Sequence, residues 1–345
     1  MPRIRIDEAK IGMVITKDVY FQDSSFLILS SGSVLDKKKI DKLKQIEVRW
    51  IDVLAESEKN SIKVLDQPFA KIYDELKEKT EEIFDNLKLR KHIEKSEVLN
   101  SIEEMAHLLV HNHNVVSLLR QIKDEDDYLY RHNIGVGMLM TMQSKWLKLS
   151  PAETVEATLT GIFHDLGKLE IDDKILNKPG KLNEIECEEM KRHSELGYDI
   201  LKAQTWATKS ILNGVYEHHE RENGKGYPRG LDGKKISLSG KMVAVCDVFD
   251  AITADRVYRP KVSPFEAADL IFAQAAGCLD PEMSYVFLKN LSTFYVGNVI
   301  KLNDGRVGEV IYIHKQEPTK PIVHVEDDFI DLTVERHLKI IDVME

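Results

Sequence analysis

The sequence predicts a mainly α protein, with a small α+β unit ahead of the helices and a small β-rich unit behind them. Three observations predict it. Between Val98 and about Leu291, apolar residues recur at helical spacing almost without interruption. Before about residue 55, short apolar runs flank a turn and one helical segment. After Gly297 the pattern shifts to β-branched runs around Asn303-Asp304-Gly305, a tight-turn signature.

Bulk properties bound the answer. The 345 residues are 43% hydrophobic and 31% charged, the profile of a soluble globular protein with two or three domains. No basic-then-apolar leader opens the sequence, and no apolar run approaches the roughly 20 residues a membrane helix needs. Cys187, Cys246 and Cys278 are far apart and form no CxxC pair, so they read as reduced thiols of a cytoplasmic protein. A net charge of −10, from 48 basic and 58 acidic residues, argues against DNA, RNA and anionic membranes as partners. A small phosphate ligand stays open if metals, Lys and Arg gather locally.

Within the first unit, Ile4 and Ile6 alternate with basic residues, and Phe26-Leu27-Ile28-Leu29 reads as a strand. Ile40, Leu43 and Ile46 mark a helix, and Trp50 to Leu54 a returning strand. Glu56 to Asp66 reads as a polar linker. The charged helix from Pro68 to about Ile93 carries the apolar stripe Ile72, Leu76, Ile83 and Leu87. It is open to reading as a connecting helix, a homodimer contact or a plain surface helix. The expected boundaries are 1–66, 67–97, 98–296 and 297–345.

The helical stretch carries the chemistry. Ser150-Pro151-Ala152-Glu153 is a helix start, with Ser as cap, Pro at the first position and Glu reaching back. Its helix delivers Gly161-Ile162-Phe163-His164-Asp165-Leu166-Gly167-Lys168, where imidazole and carboxylate together suit a first-row transition metal. Gly167 marks a close approach. Asn183-Glu184-Ile185-Glu186 starts the helix bearing His193, Ile211 to Glu220 carries His218 and His219, and a helix around Met242 to Thr253 carries Asp247 and Asp250. An earlier helix, Tyr128 to Leu147, carries His132. His107, His111 and His113 lack such company and read as ordinary exposed or capping histidines.

Five His and two Asp on five segments are more donors than one structural metal needs. They suit two divalent ions sharing Asp165, with open positions for water. Paired ions suit phosphoester hydrolysis, because they yield hydroxide at neutral pH and hold attacking and leaving oxygens in line. Lys168 would neutralise charge on the non-bridging oxygens. Arg256 and Arg259 read either as phosphate clamps or as surface charges.

Taken together, His164-Asp165-Leu166-Gly167-Lys168, Lys178-Pro179-Gly180-Lys181-Leu182, His193, His218-His219-Glu220, Gly226-Tyr227-Pro228 and Asp247-Val248-Phe249-Asp250-Ala251 strongly resemble HD-GYP domains, a branch of the HD phosphohydrolases. The resemblance implies an HD-type helical core hydrolysing the bacterial second messenger cyclic di-GMP to pGpG, and in some members to GMP. It implies one metal on His132, His164, Asp165 and Asp247, and another on Asp165, His193, His218 and His219. Asp165 and Lys168 would be the catalytic pair. Lys168, Gly226, Tyr227, Pro228, Arg256 and Arg259 would contact substrate, with the Gly226-Tyr227-Pro228 loop also meeting signalling proteins. Iron or manganese is the expected metal, with Zn, Co and Ni as alternatives. Some members bind a third metal through a Glu at the place of Tyr128, so two metals and pGpG are expected here. The N-terminal unit is similar to the small regulatory domain found ahead of such domains. An inactive cyclic di-GMP receptor, and an HD hydrolase of another nucleotide, are the competing readings.

Overall fold

The computed structural model describes residues 3–13, 15–17, 19–20, 27–29, 35, 37–46, 48–53, 69–100, 102, 128–253, 263–275, 277–293, 295–326 and 328–344. Described residues within Met1–Phe69 and Leu291–Glu345 form one compact unit, and those within Ala70–Leu109 and Val116–Asn290 another. The two ends of the chain thus group together. The 56–66 linker, His107, His111, His113, Arg256 and Arg259 lie outside the described residues.

In the first unit, β1 (Arg3–Arg5) pairs antiparallel with β4 (Trp50–Asp52), with Ile4 opposite Ile51. A second pair, β2 (Val19–Tyr20) and β3 (Leu27–Leu29), joins them in a core with α1 (Lys37–Gln45) through buried Ile15, Leu35, Leu43 and Ile51. Strand β2 was not foreseen, since two residues carry no readable alternation. The last stretch is a five-stranded antiparallel sheet in the order β8-β7-β6-β5-β9. Its strands are β5 (Val299–Leu302), β6 (Val307–Tyr312), β7 (Ile322–Val325), β8 (Asp328–Asp331) and β9 (Ile340–Met344). Ile300, Val310, Val323, Ile330 and Val343 are all buried, consistent with alternate residues sharing a core face. Gly305, at φ +94°, closes the β5–β6 turn that Asn303-Asp304-Gly305 predicts.

The second unit is helical, and together the two bear out the mainly α class with its α+β and β additions. Helix α2 (Phe69–Lys88) turns its stripe inward: Leu76, Ile83 and Leu87 are buried, and Phe84 stacks on Phe163 with ring centroids 5.6 Å apart. The stripe read above as a connector, dimer contact or surface face therefore packs into the chain's own core. Helices α3 (Tyr128–Trp146) and α4 (Pro151–Phe163) cross at glycines. A Cβ on Gly161 would lie 2.7 Å from the Gly137 Cα, so the backbones touch and only glycine fits. The predicted capping box is present, with Ser150 accepting from the Glu153 N–H and Glu153 from the Ser150 N–H. A 3₁₀ stretch, Leu166–Glu170, follows α4, then α5 (Asp173–Leu176), α6 (Glu184–Lys191) with the predicted Asn183–Glu186 box, and α7 (His193–Leu201). Helices α8 (Lys209–Glu217), α9 (Leu238–Thr253), α10 (Pro264–Gln274) and α11 (Pro281–Thr293) complete the unit. Among the described residues, no helix is long and apolar enough to cross a membrane.

Candidate metal centre

Each candidate donor sits at a place the backbone fixes. His132 lies in the first turns of α3, five residues before the glycine crossing, and His164 caps the C-terminus of α4, three residues after it. The α4 helix ends earlier than its sequence pattern suggests. It stops at Phe163, and Asp165 leaves helical geometry (φ −100°, ψ 9°), which swings its carboxylate away from the α4 axis. Gly167 is the close approach anticipated from sequence, and the neighbour is backbone: a Cβ there would lie 1.9 Å from the His193 carbonyl oxygen. That contact docks the 3₁₀ turn onto the start of α7 and brings His193 to Asp165. Helix α8 likewise ends three residues sooner than expected, so His218 is its C-cap and His219 opens the following loop. Asp247 comes from the middle of α9.

The donors converge. Asp165 Oδ2 lies 3.6 Å from His132 Nε2 and 3.4 Å from His164 Nε2, whereas Oδ1 lies 3.3 Å from His193 Nε2 and 3.8 Å from His218 Nε2. Asp247 Oδ1 is 3.1 Å from His132 Nε2 and 3.9 Å from His164 Nε2, on the first side. Donor atoms of Asp165, His193, His218 and His219 all lie within 4.8 Å of one another, as do those of His132, His164 and Asp165. One carboxylate thus faces two histidine groups with its two oxygens. Lys168 completes a three-residue reach back to Asp165, with its ammonium bonded to Oδ2.

Whether these residues fit a metal is decided by where their protons are. A carbonyl only accepts, so an imidazole bonded to one must place its proton on that nitrogen. The Nδ1 of His164 bonds the Gly161 carbonyl at 2.7 Å, that of His193 the Met190 carbonyl at 2.6 Å and that of His218 the Val215 carbonyl at 2.7 Å. Their Nε2 atoms then point bare lone pairs inward. His193 and His218 face each other Nε2 to Nε2 at 3.0 Å, a repulsive arrangement unless a proton or cation lies between. Burial lowers the pKa of both rings, overcoming the Asp165 carboxylate beside His193 and helped at His218 by His164 and His193, and so disfavours the proton. His164 Nε2 and Asp165 Oδ1 are buried with no hydrogen-bond partner. Such a donor set fits divalent cations, with the carbonyls acting as the outer supports usual for metal-binding histidines.

The carboxylates are ionised to match. Burial alone would push Asp165 up, but the Lys168 ammonium, with His164 and His193, holds it well below the usual carboxylate range. Asp247 is held below its ordinary value against burial by His132, whose Nε2 lies 3.1 Å from Oδ1, and by surrounding imidazoles. His219 is lowered well below the ordinary histidine value, by burial and then by His218 and His193.

Two residues outside the expected set support the centre. Asp250 Oδ2 accepts from His132 Nδ1 at 2.7 Å, the role carbonyls play for the other rings. The signal was in the sequence: Asp247 and Asp250 are three apart on one helix, so both reach the same side. Glu220, quoted only as part of a motif, binds the loop that carries Gly226-Tyr227-Pro228. That loop is at the site, with the Tyr227 ring stacked on His219 at 4.6 Å. For Tyr128, Arg256 and Arg259 no side-chain placement is described.

Known proteins resemble the chain over the stretch that holds these residues. Residues 117–283 match the HD domain family model. The motif resemblance noted in the sequence agrees with this match and with relatives named cyclic di-GMP phosphodiesterases. The chain is 34% identical over 243 residues to the cyclic di-GMP phosphodiesterase PA4108 of Pseudomonas aeruginosa, covering 70% of this chain and 58% of that protein. It is 36% identical to a cyclic di-GMP phosphodiesterase of Thermotoga maritima (51% of this chain, 47% of that one). It is 33% identical to the 3'3'-cGAMP-specific phosphodiesterase 1 of Vibrio cholerae (53% and 42%). The chain therefore spans about half the length of the curated relatives it matches. Its fold is shared with Bd1817, an HDG"Y"P protein of Bdellovibrio bacteriovorus, at a TM-score of 0.53 and 19% identity over 83% of this chain and 97% of that one.

Proposed function

We propose that the protein is a metal-dependent phosphodiesterase that opens cyclic di-GMP to linear pGpG. The observation that carries this reading is the division of Asp165, one oxygen toward His132 and His164, the other toward His193 and His218. His132, His164, Asp165 and Asp247 would hold one divalent ion, and Asp165, His193, His218 and His219 the other, iron or manganese best matching nitrogen and carboxylate donors. Bound ions supply a nucleophile at neutral pH and polarise the phosphoryl group.

The chain's own residues do the rest. The Nδ1 hydrogen bonds hold the imidazoles as neutral donors, and the ionised Asp165 offsets cationic charge. Lys168, part-exposed beside Asp165, is placed to neutralise the non-bridging phosphate oxygens. The Gly226-Tyr227-Pro228 loop would border the base-binding side and offer a surface to signalling proteins, with Arg256 and Arg259 on the ligand phosphates.

A second substrate reading, 3'3'-cGAMP, is favoured by the relatives specific for that nucleotide. Anaerobically purified protein with Mn(II) or Fe(II), given both nucleotides at equal concentration, separates the two. The expected result is faster turnover of cyclic di-GMP with pGpG as product. Preference for cGAMP would replace the substrate, and tight binding of cyclic di-GMP without cleavage would make the protein a receptor.

A further inference from the structure

The histidines of the cluster are not all aimed in the same way. Four have Nδ1 fixed by a carbonyl or by Asp250. His219 has no such bond among the described residues and is instead held by rings. Tyr227 stacks on it at 4.6 Å and 28°, His218 lies against it at 4.1 Å, and His193 meets it edge-on at 4.9 Å.

Tyr227 belongs to the irregular segment between α8 and α9, which has little regular structure to hold its place. What holds it is a pair of buried carboxylates at the end of α8. Glu220 accepts from the Arg229 N–H at 2.8 Å with one oxygen and from the Leu231 N–H at 2.7 Å with the other. Glu217 accepts from the Ser237 N–H at 2.7 Å and from the Arg229 guanidinium at 2.5 Å. Their residues are 2% and 4% exposed. Carboxylates this buried are costly unless every oxygen is satisfied, and here each is. The loop is also drawn onto the backbone of His219 itself: the Tyr227 N–H donates to the His219 carbonyl at 3.1 Å. A Cβ on Gly226 would lie 2.4 Å from the Glu220 Cα, so only glycine permits that approach.

We infer that Tyr227 is a positioning residue for His219 and that Glu220, by fixing the loop, positions Tyr227. The metal affinity of the pocket formed by Asp165, His193, His218 and His219 is then set from the loop, while the His132 pocket is indifferent to it. The inference rests on the reading of these residues as metal ligands.

The test is titration of metal-free full-length protein with Co(II) or Mn(II), following calorimetry and the Co(II) visible spectrum. Tyr227→Leu is expected to weaken one of two metal equivalents about 10- to 100-fold and to alter its spectrum, the usual loss when an outer support of a metal ligand is removed. Tyr227→Phe keeps the ring and is expected to match wild type. Glu220→Gln is expected to weaken the same equivalent, and the Tyr227→Leu, Glu220→Gln pair to lose less than the sum of the singles. Unchanged affinity in Tyr227→Leu, equal weakening of both equivalents, or additive losses in the pair would each overturn the inference. Failure of wild-type protein to cleave cyclic di-GMP while these metal results hold would overturn the proposed activity alone; wild-type protein that takes up no metal would overturn both.

Discussion

The two sides of Asp165 are built differently. On one side His132, His164 and Asp247 come from the bodies and ends of long helices, α3, α4 and α9, locked by a glycine crossing and aimed by hydrogen bonds. On the other, His193 and His218 sit at helix termini and His219 lies outside any helix, against a loop. Helix-borne donors gain their precision from packing that serves stability anyway. A loop-borne donor needs a dedicated support, and here that support is a tyrosine ring and two buried glutamates. One half of the centre is thus a by-product of the core and the other an addition to it.

The severest way to break the comparison is Asp165→Ala, which removes the shared carboxylate. Loss of detectable turnover and of at least one metal equivalent is expected, with helical circular dichroism retained; persistent turnover would refute the bridging assignment. Next is Asp250→Ala, which should strike the helix-borne side alone. Its expected effect is about 10- to 100-fold weaker binding of one equivalent, and titration beside Tyr227→Leu would show whether the two variants affect different equivalents. Gly167→Ala attacks the joint between the sides. With the His193 carbonyl 1.9 Å from the new Cβ, a loss of about 1–3 kcal/mol is expected from chemical denaturation.

Acidification should lower the stability of the metal-free protein. His193, His218 and His219 have lowered pKa values in the fold, so below about pH 6.5 the unfolded chain binds the protons that the fold rejects. The lowered Asp165 and Asp247 act in the same direction at more acid pH, where the unfolded carboxylates take up protons first. Thermal melts from pH 8 to 5 check the sign; a melting temperature that rises on acidification would contradict it. The mildest change, Tyr128→Glu, adds a carboxylate one turn before His132 on the helix-borne side. A third metal equivalent and more GMP among the products are expected, measured by metal analysis and chromatography.

Much of this was legible in the sequence because it is local chemistry. The capping boxes at Ser150 and Asn183, the turn at Asn303-Asp304-Gly305 and the stripe of α2 each follow from a few neighbouring residues. The donor residues were legible as types, and their grouping came from family resemblance. Distance in the chain hid the rest. The identity of the neighbour at Gly167, the support of His132 by Asp250 across 118 positions, and the clasp of Glu220 on the loop depend on which elements meet in space. Strands β8 and β9 were missed for a different reason: Asp328–Asp331 is too short and polar to stand out, and the pattern of β9 is partly that of an edge.

The carbonyl bonds to Nδ1 have a consequence for proton traffic. In the metal-loaded protein, His132, His164, His193 and His218 have one ring nitrogen engaged with a fixed oxygen and the other turned to the centre, so none is free to take a proton from one partner and give it to another. Under the proposed activity, the departing oxygen would collect its proton from solvent, from the Lys168 ammonium or by way of His219, whose Nδ1 is not held in this way among the described residues. Four histidines beside a scissile bond would then serve as scaffolding, and their part in the acid limb of a rate profile would be ligand loss instead of general acid catalysis.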